Sequence, residues 1–264
     1  MLQRIKNSLK YLVFGSLDRN ISSKPDRYCS VCFSTFKDFN PLPLEFLNDL
    51  DTNTFKYSIF QGETLNLFNY NCPKCGATDR DRLYALYFEL NKDQLKGKKV
   101  LNFAPARSLK KNVTSYGATF RTADLFVDGV DVDDKVDIQN MNAYSDQSFD
   151  IFVCSHILEH VDNDIAAMKE LYRVLSNSGW GIAMVPINLG ITEVDENPSI
   201  KDEAQRWHHF GQGDHVRMYS KQGFVKRLQS VGFKVEQLDI NFFGENVFEK
   251  LGLHKRSVLY VVRK

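Results

Sequence analysis

With 264 residues, 43% of them apolar and 25% charged, the chain has room for one sizeable α/β core plus a smaller unit, and its composition excludes a disordered protein. A formal net charge of +1 gives no general attraction for polyanions, so nucleic acid is not an expected partner. No apolar run reaches the length of a transmembrane helix.

Residues 1–22 open the chain with Leu2, Ile5, Leu9, Leu12 and Val13 at helical spacing and Arg4, Lys6 and Lys10 between them. This basic amphipathic helix has two readings: it packs on the protein's own core, or it rests on a membrane surface or a partner. The stretch from Tyr11 to Gly15 is too short for the apolar part of an export signal, and no cleavage site follows, which points to the cytoplasm.

Residues 23–95 form a second zone with two Cys-x-x-Cys pairs, Cys29/Cys32 and Cys72/Cys75, and a loop carrying Pro41 and Pro43. The cytoplasm disfavours disulfides, so metal ligation is the better account. Cys72-Pro73-Lys74-Cys75-Gly76 has the form of a zinc knuckle, whose backbone N–H groups face the sulfurs. Two knuckles make a closed Cys₄ structural zinc site with no open catalytic position. A linking helix is predicted from Asp79 to Asn91, and its Arg80 and Arg82 either face an anionic ligand or, the preferred reading, are solvated helix-face side chains.

Residues 96–264 alternate strand and helix patterns, as in a parallel sheet covered on both faces. Strands are predicted at 98–104, 119–125, 134–138, 149–155 and 180–186, with helices at 108–116 and 162–175 and a turn at 176–179. The stretch 157–160 reads as the start of a helix. Ser220 N-caps a helix that Gly232 ends, and strands at 233–239 and 257–262 enclose a loop. The expected architecture is a Rossmann-like, doubly wound, seven-stranded sheet whose last strand is antiparallel, behind a small zinc module.

After the first strand, nucleotide-binding folds require small residues where the ligand meets backbone. Asn102, Ala104 and Ala106 occupy that turn, although the glycines of G-x-G-x-x-G are missing. Asp124 lies 22 positions beyond Asn102, where an acid accepts hydrogen bonds from ribose hydroxyls. Asp137 and Ile138 follow the third strand: the carboxylate either accepts an adenine amino group or is an ordinary turn residue. Ser155 and His156 end the fourth strand at the crevice where doubly wound sheets bind ligands. His160 reads as a core histidine.

From about residue 98 to 263 the chain resembles the class I S-adenosylmethionine-dependent methyltransferases of the type 11 group. The Phe149-Asp150 strand running into His156-Ile157-Leu158-Glu159-His160 carries the resemblance, with Arg173-Val174-Leu175 and Gly179. The cysteine knuckles, Ala104-Pro105 and Phe210-Gly211-Gln212-Gly213-Asp214-His215-Val216-Arg217-Met218-Tyr219 resemble a bacterial subgroup. The resemblance implies methyl transfer from S-adenosylmethionine to a small-molecule or saccharide acceptor.

A hydroxyl acceptor calls for a base near neutral pKa, and His156 and His215 are the two candidates. Asp214 and Arg217 flank His215, and Arg217 is positioned to hold an anionic acceptor or the cofactor carboxylate. A polar loop held by internal ion pairs is the other reading of that cluster. Pro186, Ile187 and Asn188 are expected to wall the pocket. Three alternatives stand beside this one: an NAD-dependent oxidoreductase, a zinc-ribbon RNA-binding protein or RNA methyltransferase, and a scaffold that keeps the fold without catalysis.

Overall fold

The computed structural model describes residues 26–104, 107–126 and 132–264, so the basic helix at 1–22 and Ala106 lie outside the described residues. Among those described, no helix is long and apolar enough to cross a membrane.

The first elements surround the cysteines. A hairpin of β1 (Arg27–Tyr28) and β2 (Thr35–Phe36) carries Cys29 and Cys32 in its turn. Helix α1 (Leu44–Thr52) and an irregular stretch lead to the second knuckle. Helix α2 (Asp79–Leu90) follows, started by a capping box in which Thr78 and Asp81 exchange hydrogen bonds with each other's backbone.

The central sheet has seven strands: β3 (Lys99–Phe103), β4 (Thr119–Asp124), β5 (Asp134–Lys135), β6 (Phe149–Ser155), β7 (Leu175–Met184), β10 (Lys234–Leu238) and β11 (Leu259–Arg263). Their order is β10-β11-β7-β6-β3-β4-β5. The five strands from β5 to β7 are parallel, and β11 runs antiparallel to both neighbours. This is the expected doubly wound architecture, closed by an antiparallel strand. Helices α3 (Arg107–Ser115), α4 (Asp164–Val174) and α6 (Lys221–Ser230) make the crossovers, and Ser220 N-caps α6 by accepting from Gly223 N–H. A small hairpin, β8 (Asp195–Glu196) and β9 (Arg217–Met218), flanks helix α5 (Glu203–Phe210) between β7 and α6.

Four departures from the sequence reading have local causes. The turn at 176–179 lies inside β7: Phe149 pairs with Leu175 and Ile151 with Trp180, so the intervening residues bulge out. Residues 157–160 form a turn rather than a helix. His156 takes a left-handed φ of 56°, and the helix starts only at Asp164, where Asn163 caps Ala166 N–H. The third strand shrinks to Asp134–Lys135. Two short helices, α7 (Ile240–Phe243) and α8 (Glu245–Lys250), replace the loop expected before β11.

The hydrophobic core is continuous from the cysteine hairpin through α2 into the sheet. Arg82, read from sequence as solvated, is fully buried at that junction. Its guanidinium stacks 3.7 Å from the Phe39 ring centroid. Its N–H groups donate to the carbonyls of Asn69, Tyr70, Ala77 and Leu251 at 2.6–3.0 Å. The charge is therefore solvated by carbonyl dipoles drawn from both ends of the chain.

Candidate active site

The parallel strands deliver the residues singled out in the sequence to one edge of the sheet. Ala104 follows β3, Asp124 ends β4, Asp137 and Ile138 follow β5, and Ser155 and His156 lie at the end of β6. The strand order reverses between β3 and β6, which is where doubly wound sheets open a ligand crevice. Asn102 is buried in β3 beside this edge.

Ala104 adopts a left-handed φ of 44° that favours glycine, so its small side chain stands in for the missing glycine of the turn. Asp124 Oδ1 accepts from Phe126 N–H at 3.0 Å, and Asp137 Oδ1 accepts from Gln139 N–H at 2.8 Å. Ser155 Oγ lies 2.6 Å from the Tyr84 hydroxyl of α2, which fixes the strand end.

A cleft of about 480 Å³ opens beside this edge, over the carboxyl ends of β6 and β7. Its volume falls in the range of small-ligand sites. Phe46, Phe55, Ile59 and Leu65 line it from the N-terminal zone, and Val185 to Asn188 line it from the end of β7, as expected for Pro186, Ile187 and Asn188. Arg80 also lines the cleft rather than lying on a solvated helix face, with Tyr70, Asp81 and Asp79 as its electrostatic neighbours.

The polar wall of the cleft is made by His156, Glu159, His160 and His215. His156 Nδ1 lies 3.2 Å from Oε1 of the fully buried Glu159. Burial and then the Arg80 charge push the His156 imidazole down to about 4, so the ring is neutral at pH 7. Burial works against the Glu159 charge, while the neighbouring His156 ring, with His215 and His160 beyond, draws the carboxyl down.

The structure separates the cluster expected at 214–217. His215 is buried in the cleft wall, and its Nδ1 lies 3.1 Å from the Phe210 carbonyl oxygen. Asp214 is exposed and lies 3.1 Å from His160 Nδ1. Arg217 does not reach the cleft. It is buried, donates to the carbonyls of Leu158, Val161 and Asp162, and pairs with Glu196 at 3.0 Å. Those carbonyls would otherwise accept within a helix, which is why 157–160 stays a turn. Sequence reasoning overlooked Glu159, which carried a signal in its place between two histidines of one motif. Arg80 was open to two readings, facing an anionic ligand or lying solvated on its helix, and its place in the cleft wall favours the first.

The four cysteine sulfurs come together away from the cleft, all within 4.8 Å of one another. Cys29 and Cys75 sulfurs are 3.7 Å apart, and those of Cys32 and Cys72 are 3.8 Å apart. A tetrahedral zinc with bonds of about 2.3 Å requires sulfurs about 3.8 Å apart, so the set fits that ion. Lys74 N–H points at Cys72 Sγ from 3.4 Å, and Gly76 turns the knuckle at a φ of 74°.

Among solved structures, the chain is similar to an S-adenosylmethionine-dependent methyltransferase from Archaeoglobus fulgidus, at 16% identity and a TM-score of 0.44, covering 72% of this chain and 95% of that one. A methyltransferase of the same description from Mesorhizobium loti is similar at 14% identity and a TM-score of 0.44, covering 64% and 92%. The 1,6-didemethyltoxoflavin-N1-methyltransferase of Burkholderia thailandensis, solved with its substrate and S-adenosylhomocysteine, is similar at 10% identity and a TM-score of 0.37, covering 65% and 72%. No curated protein matches. A family described as a methyltransferase domain matches residues 97–238. That span is more than half of the chain and contains the whole strand-end edge, so the protein belongs to this family of methyltransferase domains.

Proposed function

We propose that the protein methylates a hydroxyl group of a small-molecule or glycan-precursor acceptor bound in the cleft over β6 and β7. What supports the reading is that His156 directly follows β6 at the strand-end edge and also lines the cleft.

S-adenosylmethionine supplies a methyl group on a sulfonium centre, and displacement there depends on alignment of the reactants. In this reading Asp124 accepts hydrogen bonds from the ribose hydroxyls and Asp137 and Ile138 border the adenine. Asn102 and Ala104 border the rest of the cofactor, Ala106 is assigned with them from the sequence alone, and Ser155 and His156 face its reactive end. Nδ1 of His156 is directed at Glu159, which leaves Nε2 to take the acceptor proton while Glu159 stabilises the imidazolium that results. His156 thereby takes precedence as base over His215. Arg80 replaces Arg217 as the group for an anionic part of the acceptor, since Arg80 lines the cleft and Arg217 does not. Cys29, Cys32, Cys72 and Cys75 hold a structural zinc ion, and four thiolates suit the reducing cytoplasm.

The test is a titration with S-adenosylmethionine followed by a methyl-transfer screen over sugars, small hydroxylated molecules, lipids and RNA. Asp124→Ala should weaken cofactor binding by about 1.5–3 kcal/mol, the range for hydrogen bonds to a charged group. Unchanged affinity would move the cofactor site elsewhere, and transfer to RNA alone would overturn the acceptor class.

A further inference from the structure

We infer that Glu159, His160 and His215 form a second metal site, one that takes a divalent transition-metal ion in the wall of the cleft. One donor atom from each of the three lies within 4.8 Å of the others. Metal–nitrogen and metal–oxygen bonds of about 2.0–2.2 Å then require the side chains to close in by roughly an ångström.

The surroundings of the donors resemble those of bound ligands. Histidines that bind metal almost always have their second ring nitrogen held by a carboxylate or a backbone carbonyl. Both kinds occur here: His160 Nδ1 faces Asp214 at 3.1 Å, and His215 Nδ1 faces the Phe210 carbonyl at 3.1 Å. Each ring is thereby left with Nε2 free, and His160 Nε2 is 3.9 Å from Glu159 Oε1. The two rings meet edge to face with centroids 4.6 Å apart.

Glu159 supplies the independent sign. Its side chain is fully buried, and among the described residues neither carboxylate oxygen accepts a hydrogen bond, Oε1 having only the 3.2 Å approach of His156 Nδ1. A buried carboxylate oxygen without a donor is costly, and a cation beside it removes that cost. Two imidazoles and one carboxylate suit Zn²⁺, Mn²⁺, Co²⁺ or Fe²⁺, whereas Mg²⁺ prefers an all-oxygen shell. Three protein ligands leave positions open, and all three residues line the cleft, so an oxygen of the acceptor is the natural further ligand. That role rests on the cleft being the acceptor site. Binding of the ion does not.

The experiment uses the full chain with its cysteine site filled by zinc. Excess Mn²⁺ or Co²⁺ is titrated without cofactor or acceptor, and metal content is measured after desalting. Two metal ions per chain are expected, one of them lost in Glu159→Gln and in His215→Ala while the cysteine-bound ion stays. Asp214→Ala, at an exposed position that should not disturb folding, should weaken the second ion roughly 10–100-fold. One ion per chain in the unaltered protein, or an affinity untouched by Asp214→Ala together with Glu159→Gln, would overturn the site. Cofactor affinity measured in the same samples separates this outcome from failure of the methyl-transfer reading.

Discussion

Left-handed backbone at a residue with a β-carbon costs roughly 1–2 kcal/mol, and this chain accepts it at Ala104 and at His156, the two ends of the crevice between β3 and β6. At His156 the conformation turns the chain sharply off the sheet and presents the imidazole to Glu159. If this ring takes the acceptor proton, His156→Ala should lower kcat about 10²–10⁴-fold and leave cofactor affinity nearly unchanged, as read by steady-state kinetics and calorimetry. A large loss of cofactor affinity instead would make the ring part of the cofactor pocket. The histidine itself was legible in the sequence because a buried strand ended on it. The opposite fates of Arg80 and Arg82 were not. Both sit in the first turns of one helix, and only the carbonyls brought in from Asn69, Tyr70 and Leu251 decide that Arg82 turns inward.

At the scale of elements, the turn at 156–163 is held by a segment more than fifty residues further on. Val216 N–H donates to the Glu159 carbonyl at 2.8 Å, Arg217 takes three more carbonyls, and Tyr219 donates to Asp164 at 2.6 Å. The β8–β9 hairpin anchors this clamp, because Glu196 pairs with both Arg217 and Arg227. Those pairs, with Arg227 foremost, hold the Glu196 carboxyl below its ordinary 4.5. Its contribution to stability is therefore present at neutral pH and is lost as pH falls through the lowered folded value. In Glu196→Gln the melting temperature should be lower at neutral pH and fall less steeply between about pH 5 and pH 3 than in the unaltered protein. Equal slopes would show that the carboxylate carries no proton-linked stability. Strand periodicity revealed the parallel strands, but this clamp was invisible to it, since its bonds join residues that no local pattern relates.

At the scale of the whole molecule, the cysteine hairpin and the sheet share one core, and Asn112 of α3 donates to the Val31 carbonyl in the first knuckle at 2.8 Å. With zinc on the four cysteines as proposed, its loss should therefore be felt well beyond the knuckles. Structural zinc contributes about 10–16 kcal/mol of binding free energy in small zinc domains, and Cys72→Ser should forfeit several kcal/mol of it. With Co²⁺ in place of zinc, the thiolate charge-transfer absorption should fall sharply in Cys72→Ser, and calorimetry should show one unfolding transition at a lower temperature. Two separate transitions would mean that the knuckles and the sheet unfold independently.

Phe46, Phe55, Ile59, Leu65 and Arg80 reach the cleft from before residue 97, while the cofactor edge and the histidines come after it. Under the proposed roles, chemistry and selectivity occupy different stretches of the gene. Drift in residues 43–80 would then retune which acceptor fits while the transfer machinery stays fixed, so a lineage would diversify its products without reinventing its catalyst. Chimeras that exchange this stretch between related chains should inherit acceptor preference from its donor and cofactor affinity from the recipient.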